Sequence, residues 1–359
     1  MSTNGDSKTA VLPAGQDRGT QDSNARQQIP IGSLPLPPKP KALPVQQTIS
    51  VGLPPPPPVK TIPVKKLEAL YNLEKDYDWS HSQNEAYAKL LEKFGESWFQ
   101  DTTGSVNVGQ NSYNNTTHIR FVTISDTHKK HRALSNNSML PKGEVIIHAG
   151  DFTSIGGIKE VKDFCDWFGS LPYKYKIVIA GNHDLSLDKS WYGIDQNWRS
   201  LGLPKVATSC NGESTEIMRS SKNFIYLEDS AVEIEGYKIF GAPWQPEFCN
   251  WAFNLERGKQ CDERWNNIPT DTDILITHGP PLGHGDRCKH GLRAGCFDLL
   301  RHVQNRIKPK YHVFGHIHEG YGTSTNGATT FINASTCNYQ YRPLQQPIVF
   351  DLPKKTEAK

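Results

Sequence analysis

Five apolar runs of this chain each stop at a short polar segment rich in carboxylate, amide and imidazole groups. The runs cover residues 119–124, 145–147, 177–180, 274–277 and 311–314, and the segments after them hold Asp126, His128, Asp151, Asn182, His278, His316 and His318. Apolar runs that alternate with helical patterns are typical of β–α–β units with partly parallel strands. The carboxyl ends of such strands meet at one edge of a sheet, so these side chains are predicted to converge.

Together, these seven side chains supply enough ligands for two divalent metal ions. One ion would bind Asp126, His128 and His318, and the other would bind Asn182, His278 and His316. Asp151 is predicted to bridge both ions, because a carboxylate has two oxygen atoms. Mixed oxygen and nitrogen ligands suit Mn, Fe, Zn or Co, and Mg is a further candidate. Two such ions can clamp the oxygens of a phosphoryl transfer, and a metal-bound water that loses its proton becomes the attacking hydroxide.

Two residues beside Asn182 are candidate catalytic residues. His183 is predicted to protonate the leaving-group oxygen or to stabilise its charge. Asp184 is predicted to accept a hydrogen bond from His183 and to fix its tautomer. Three further residues are candidate substrate contacts, namely His284, Arg287 and Trp244. Solvated loop residues and a structural aromatic residue are the alternative interpretation of these three.

The N-terminal part of the chain differs sharply from the rest. Residues 1–64 hold 13 of the 25 prolines, no aromatic residue and no histidine. Such a segment cannot bury enough apolar surface to fold, so a disordered proline-rich arm is predicted. It is either a solvated linker or a docking arm for a partner of the SH3, WW or EVH1 type.

Four regions follow one another along the chain. After the arm, residues 65–117 are predicted to form an amphipathic helix and a polar linker, because Tyr87, Leu90, Leu91, Phe94 and Trp98 follow helical spacing. Residues 118–353 carry the metal ligands and form the predicted globular domain, and residues 354–359 form a tail. Within the domain, the close spacing of apolar runs over 224–240 predicts an antiparallel hairpin.

Charge and cysteine content exclude several classes of function. The net charge is +3, and residues 1–64 alone contribute six basic and three acidic residues, so the remainder is balanced. A balanced domain gives no electrostatic support for a nucleic-acid partner. No run reaches the roughly 18–20 apolar residues of a membrane helix, and no signal pattern opens the chain. Seven scattered cysteines without a C-x-x-C pair favour reduced thiols, and a cytoplasmic location is therefore predicted.

The ordered motifs D-x-H, G-D, G-N-H-D, T-H-G and G-H-x-H resemble the calcineurin-like metallophosphoesterase superfamily. The similarity is closest to its metallophosphoesterase-domain-containing, fetal-brain-type branch, in which Asp184 is commonly Glu. This resemblance implies a four-layer α/β/β/α sandwich with two mixed sheets over residues 118–353. It also implies two metal ions held as assigned above. The implied activity is manganese-supported hydrolysis of phosphodiesters, including cyclic nucleotides.

Two other activities of the superfamily fit the sequence less well. Protein Ser/Thr phosphatases of the superfamily carry G-D-x-x-D-R-G, whereas Gly150–Gly156 lacks the Asp-Arg pair. A superfamily nuclease would be expected to add a nucleic-acid-binding surface, and the balanced charge does not indicate one. The remaining alternative is a weakly active, metal-binding scaffold or adaptor that is recruited through the proline-rich arm.

Overall fold

A computed structural model describes residues 83–94, 100–102, 115–136, 138–192 and 212–355. The predicted proline-rich arm and most of the predicted linker and tail lie outside these ranges. The helices are α1 (Gln83–Phe94), α2 (His131–Asn136), α3 (Ile158–Ser170), α4 (Lys189–Tyr192), α5 (Glu213–Ser220), α6 (Lys259–Asn266) and α7 (Phe297–His302). A π-helical turn, Val303–Ile307, extends α7, and 3₁₀ turns cover Leu185–Leu187 and His318–Gly320.

Fourteen strands are present in the described residues. They are β1 (Gln100–Thr102), β2 (His118–Ile124), β3 (Val145–Ala149), β4 (Tyr175–Ile179), β5 (Ile225–Tyr226), β6 (Ser230–Ile234), β7 (Tyr237–Ala242), β8 (Gln245–Pro246), β9 (Asn254–Leu255), β10 (Ile274–Thr277), β11 (Tyr311–Phe314), β12 (Gly322–Thr325), β13 (Thr330–Asn333) and β14 (Ile348–Pro353). Five form one sheet in the order β14-β2-β3-β4-β5, and seven form another in the order β1-β12-β13-β11-β10-β7-β6.

Both large sheets are mixed, and their central strands are parallel. Strands β2, β3, β4 and β5 run parallel, and β14 pairs antiparallel with β2 at the edge. In the other sheet, β7, β10, β11 and β13 run parallel, while β12 and β6 pair antiparallel with their neighbours. Consequently, the loops after β2, β3 and β4 share one edge of the first sheet, and those after β10 and β11 share one edge of the second.

The core has three apolar layers that separate four layers of secondary structure. Between the two sheets lie Phe121, Ile147, Ile276 and Val313, among others. Helix α3 covers the outer face of the five-stranded sheet with Phe164 and Phe168, and α6 and α7 cover the outer face of the other sheet. Every residue of β3 is buried, as expected for a strand that is covered on both faces. The predicted α/β/β/α sandwich with two mixed sheets is confirmed.

The predicted hairpin over residues 224–240 is wrong in its pairing. Strand β5 lies parallel to β4 in the five-stranded sheet, and β6 instead forms the antiparallel hairpin with β7 in the other sheet. The burial of β6 alternates along the strand, so it shows no continuous apolar run. A weak apolar signal at a half-exposed edge strand explains why the sequence pattern pointed to the wrong neighbour.

The predicted amphipathic helix is observed as α1, and it packs on the domain. The Arg293 backbone N–H donates a 2.8 Å hydrogen bond to the Asn84 side-chain oxygen, and the Arg293 guanidinium lies 3.5 Å from the centre of the Tyr87 ring. Trp98, at the predicted end of the pattern, lies outside the described residues. Among the residues that the structure describes, none of the helices combines the length and apolarity needed to cross a membrane.

Candidate metal centre

The seven candidate ligands lie in loops that follow the carboxyl ends of five parallel strands. Asp126 and His128 follow β2, Asp151 follows β3, and Asn182 follows β4. From the other sheet, His278 directly follows β10, and the remaining two histidines follow β11. Backbone hydrogen bonds tie these loops together, for example from the His128 N–H to the Asp151 carbonyl at 3.0 Å. The sandwich therefore brings all seven side chains to one place, at the edge where its two sheets meet.

Four of these residues have left-handed backbone conformations that side chains other than glycine rarely adopt. The φ angles are 51° for Asp126, 40° for His128, 57° for Asp151 and 67° for His316. Such conformations cost on the order of 1–3 kcal/mol each and cluster at functional sites. The surrounding hydrogen bonds hold these turns in place. Because the strained backbone lowers stability, its presence in these loops indicates a functional role.

The first donor group consists of Asp126, His128 and His318. The His318 Nε2 atom lies 3.3 Å from Asp126 Oδ1 and 3.2 Å from His128 Nε2. All three side chains are buried, and their ligand atoms lie within 4.8 Å of one another. This spacing fits one cation bound by a carboxylate and two imidazoles.

The second donor group consists of Asn182, His278 and His316. The Asn182 Oδ1 atom lies 2.9 Å from His278 Nε2 and 2.8 Å from His316 Nδ1. Asp151 joins this group, because its Oδ2 atom is 3.4 Å from His278 Nε2. The same Oδ2 atom is 3.9 Å from His128 Nε2 in the first group. One carboxylate thus faces both groups, as a bridging ligand would.

The outward-facing ring nitrogens of two histidines fix which nitrogen is free to bind a cation. His278 donates its Nδ1–H to the Ala149 carbonyl at 3.0 Å, and His318 donates its Nδ1–H to the Asn338 carbonyl, also at 3.0 Å. Their Nε2 atoms therefore face the centre. Backbone acceptors behind metal-binding histidines are a common way of setting the tautomer. The donor set fits divalent ions, and these residues would hold them.

Two glycines let the ligands approach the backbone closely. A Cβ atom at Gly315 would lie 1.9 Å from Asp126 Oδ2, and one at Gly181 would lie 2.3 Å from Asp151 Oδ1. A Cβ atom essentially never lies within 3.0 Å of a heavy atom of a residue elsewhere in the fold. Neither glycine has a positive φ, so the requirement for glycine here is one of space.

Electrostatics lower the pKa of two of the four candidate histidine ligands, His128 and His316, and raise the pKa of the other two, His278 and His318. Burial lowers the pKa of His128 and of His316 to about 3, so both rings stay neutral and keep a lone pair for a metal. Burial also disfavours the charged ring of His278, but the Asp151 carboxylate outweighs it and raises the His278 pKa to about 9. Burial opposes ionisation of Asp126, yet His318 and His278 hold the pKa of that carboxyl well below its usual range.

His183 stays partly open to solvent, and one of its ring nitrogens lies within 4.8 Å of ligand atoms of both His128 and Asp151. Its backbone N–H donates to Asp151 Oδ1 at 2.8 Å, and its Nδ1–H donates to the Ser154 carbonyl at 2.8 Å. The Nε2 atom is 3.9 Å from Asp151 Oδ2, and the side chain is 15% exposed. An accessible ring nitrogen next to the proposed bridging carboxylate fits the predicted contact with a leaving group.

The predicted hydrogen bond between Asp184 and the His183 ring is wrong. The fully buried Asp184 carboxylate accepts backbone N–H groups of Asp151, Thr153 and Gly181 at 2.9–3.0 Å and the Thr153 hydroxyl at 2.7 Å. The backbone turn from Gly181 to Asp184 directs this carboxylate back toward its own loop. Asp184 therefore braces the loops that carry Asp151 and Asn182, and the Ser154 carbonyl orients His183 instead.

The three candidate substrate contacts do not join the donor groups. His284 is fully buried, stacks on Phe331 at 3.7 Å and bonds to the Ser324 hydroxyl, so its predicted contact with substrate is wrong. The Trp244 indole N–H donates to Asp229 at 2.9 Å, which commits its polar atom elsewhere. Arg287 lines a separate cavity of about 240 Å³.

Ser335 also contacts the centre directly, although the sequence motifs predicted no role for it. Ser335 donates its hydroxyl to Asp126 Oδ2 at 3.0 Å, across 209 residues of sequence. It follows β13, which runs parallel to β11 and ends at the same edge. A polar residue after one more parallel strand was the available signal.

Comparisons with known proteins show the family of this chain. The family model described as calcineurin-like phosphoesterase matches residues 119–320. Metallophosphoesterase domain-containing protein 1 of Homo sapiens is 49% identical over 239 residues, which cover 66% of this chain and 72% of that protein. Two Caenorhabditis elegans proteins, UPF0046 proteins T07D4.2 and C25E10.12, are each 45% identical, and the matches cover 62% and 81% of their lengths. The chain belongs to the calcineurin-like phosphoesterase family, whose members are hydrolases that use divalent metals.

Proposed function

We propose that this protein is a dinuclear, metal-dependent phosphodiesterase that hydrolyses small phosphodiesters, with cyclic nucleotides among its substrates. Manganese is the proposed metal. The observation that supports this proposal is the pair of donor groups joined by the Asp151 carboxylate, with the accessible His183 ring beside it. Paired divalent sites of this kind are suited to in-line displacement at phosphorus.

The ions, when bound, would neutralise charge on the phosphoryl oxygens and make a water molecule acidic enough to act as nucleophile. The chain itself contributes positioning and a proton. Asp151 Oδ1 accepts the His183 backbone N–H, so the proposed bridging ligand and the proposed acid are held by one hydrogen bond. With Nδ1–H committed to the Ser154 carbonyl, a protonated His183 presents its second N–H at Nε2, which faces Asp151 Oδ2 and solvent. That N–H is available to a leaving-group oxygen.

The test is hydrolysis of bis(p-nitrophenyl) phosphate by chelator-stripped protein, with Mn, Mg, Zn or Fe(II) added back. Parallel assays use p-nitrophenyl phosphate, a monoester, and the variant His316→Ala. His290→Ala is the matched control, because His290 is exposed and lies outside both donor groups. We expect metal-dependent diester hydrolysis that exceeds monoester hydrolysis, is abolished in His316→Ala and is unchanged in His290→Ala. If the protein instead hydrolyses the monoester faster than the diester, it is a phosphatase and the phosphodiesterase proposal is wrong.

The adaptor alternative depends on residues 1–64, which lie outside the described residues, and both the docking partner and the cytoplasmic location stay predictions. Deletion of residues 1–64 separates the two functions. A phosphodiesterase should keep its turnover without the arm. A folded, metal-binding protein that hydrolyses neither ester with any metal would favour the adaptor alternative.

A further inference from the structure

Three aromatic side chains lie against the candidate metal centre, each in contact with a different part of it. They form an aromatic rim that consists of Phe248, Trp251 and Tyr341. Phe248 is 50% exposed and Tyr341 is 44% exposed, although both are large side chains that gain from burial. Single exposed aromatic residues are ordinary, but convergence of three on one polar centre calls for a ligand.

Tyr341 covers the first donor group. Its ring lies edge-on to His128 at 4.8 Å and to His318 at 5.1 Å, measured between ring centroids. The residue has a left-handed backbone, with φ 57°, and its N–H donates to the Asn338 carbonyl at 2.8 Å. The same carbonyl accepts the Nδ1–H of His318. One strained turn therefore sets both the His318 tautomer and the position of the Tyr341 ring.

Trp251 and Phe248 come from a second strained loop, on the other side of the centre. The Trp251 ring lies 4.2 Å from the His183 ring, and the Phe248 ring lies 5.5 Å from the His316 ring. Cys249 and Asn250, between them, both have left-handed backbones. This loop is held firmly, because the Trp191 indole N–H donates to the Asn250 carbonyl at 2.8 Å. Trp251 thus lies on a hydrogen-bonded loop beside the proposed proton donor.

We propose that the aromatic rim binds a planar aromatic group of the substrate, such as a nucleobase, next to the phosphoryl group at the metal centre. This inference rests on the proposed function and narrows it to esters that carry such a group. Flat aromatic side chains stack on any of the nucleobases, because every base has a flat π-face. Trp251, beside His183, is the residue best placed for the leaving-group side, and Tyr341 contacts His128 and His318 of the first donor group.

The first experiment measures binding, so that it does not depend on turnover. Isothermal titration of the Mn-loaded protein compares adenosine 5′-monophosphate with ribose 5-phosphate, which carries the same phosphate and sugar without a base. Stacking is worth on the order of 1–3 kcal/mol per base by alanine substitution, so we expect the base to tighten binding by roughly 5- to 150-fold. The inference is wrong if the wild-type protein binds adenosine 5′-monophosphate and ribose 5-phosphate with equal affinity, or if it binds neither.

The variants assign that preference to the rim. Trp251→Ala and Tyr341→Ala should each reduce the preference for the nucleotide, and Trp251→Phe and Tyr341→Phe should retain most of it. Tyr339→Ala is the matched control, because Tyr339 is 50% exposed, against 44% for Tyr341, and lies on the same turn but contacts Lys289 instead. If both alanine variants fold and still bind the nucleotide more tightly than ribose 5-phosphate to the same extent, the aromatic rim does not bind the base. If those variants do not fold, Trp251→Leu and Tyr341→Leu, which keep an apolar side chain but remove the aromatic face, should reduce the preference in the same way.

Turnover then separates this inference from the proposed function. The matched substrates are adenosine 3′,5′-cyclic monophosphate and methyl riboside 3,5-cyclic phosphate, which lacks the base. We expect Trp251→Ala to lower kcat/KM for the nucleotide by roughly 5- to 150-fold and to leave the abasic ester almost unchanged. Equal loss on both substrates would make Trp251 a support for His183 and overturn its role in recognition. If the wild-type protein binds the nucleotide more tightly in titration but hydrolyses no diester, the phosphodiesterase proposal is wrong and the proposal that the rim binds a base still stands.

Discussion

Replacing Gly181 by alanine tests the close approach on which the proposed second metal site depends. The new methyl carbon would lie 2.3 Å from Asp151 Oδ1 and 2.6 Å from both Cε1 and Nδ1 of His278. Neither neighbour can yield easily. Asp151 accepts the His183 N–H at 2.8 Å, and His278 is fully buried and anchored on the Ala149 carbonyl. The methyl group must therefore displace at least one of these two side chains by several tenths of an ångström.

The expected effect has two separable parts. Overpacking of a buried site costs roughly 1–3 kcal/mol, and at about 2–4 °C per kcal/mol this lowers the Tm without metal by roughly 2–12 °C. Manganese at 100 times its Kd stabilises the wild-type protein by about 2.7 kcal/mol, a rise of roughly 5–11 °C. If displaced ligands weaken binding about 100-fold, the same concentration gives only about 0.4 kcal/mol, or a rise of about 1–2 °C.

The assay is a thermal melt of chelator-stripped protein with and without Mn, alongside hydrolysis of bis(p-nitrophenyl) phosphate. Gly157→Ala is the control, because a Cβ atom there meets ordinary van der Waals distances of 3.5 Å and φ is −62°. The control should match the wild-type protein in hydrolysis and in the Mn-dependent rise in Tm, although alanine is a poorer N-cap than glycine for α3 and lowers the Tm itself slightly. A Gly181→Ala protein with an unchanged Mn-dependent rise in Tm would refute the argument, since the methyl group and the bound ligands cannot occupy the same space.

Three further changes have distinct expected outcomes. His183→Gln should lower kcat by roughly 10²–10⁴-fold and keep the Mn-dependent rise in Tm, because the proposed assignment makes His183 an acid and not a ligand. Its ring nitrogen also lies within 4.8 Å of ligand atoms of His128 and Asp151, so loss of the rise would make it a ligand. Asp184→Ala leaves several buried donors without an acceptor, and urea unfolding without metal should show a loss of roughly 3 kcal/mol or more. Burial lowers the pKa of His131 to about 4, so its neutral ring stabilises the fold above pH 6.5 and that contribution is lost as pH falls toward 4. His131→Gln should remove about 3 kcal/mol of that pH dependence, measured by urea unfolding at pH 7.5 and pH 4.

The donor groups could be predicted because strand ends converge by a simple rule. The first candidate ligand lies one to three residues after the end of each buried apolar strand. The carboxyl ends of parallel strands lie at one edge of their sheet, so these ligands come close together. The direction of Asp184 could not be predicted in the same way. A carboxylate next to a histidine is compatible with either contact, and here a tight turn, with the Asp184 N–H on the Gly181 carbonyl, aims it at backbone donors.

Contacts that join distant segments were also beyond the sequence pattern. Ser335 reaches Asp126 only because β13 lies beside β11 in one sheet and Asp126 follows a strand of the other. Tyr341 reaches His128 because a turn with a left-handed residue folds back over the centre. Both depend on how the two sheets meet, and local spacing along the chain contains no such information.

The way the two sheets share the ligands has a thermodynamic consequence. Asp126 and His128 come from the five-stranded sheet, whereas their partner His318 comes from the seven-stranded sheet. The second donor group is divided in the same way, with Asn182 from one sheet and His278 from the other. A metal bound by either group would thus connect the two halves of the sandwich. Because metal that binds only the assembled site adds its binding free energy to folding, removal of metal should weaken the interface between the sheets before it weakens either sheet.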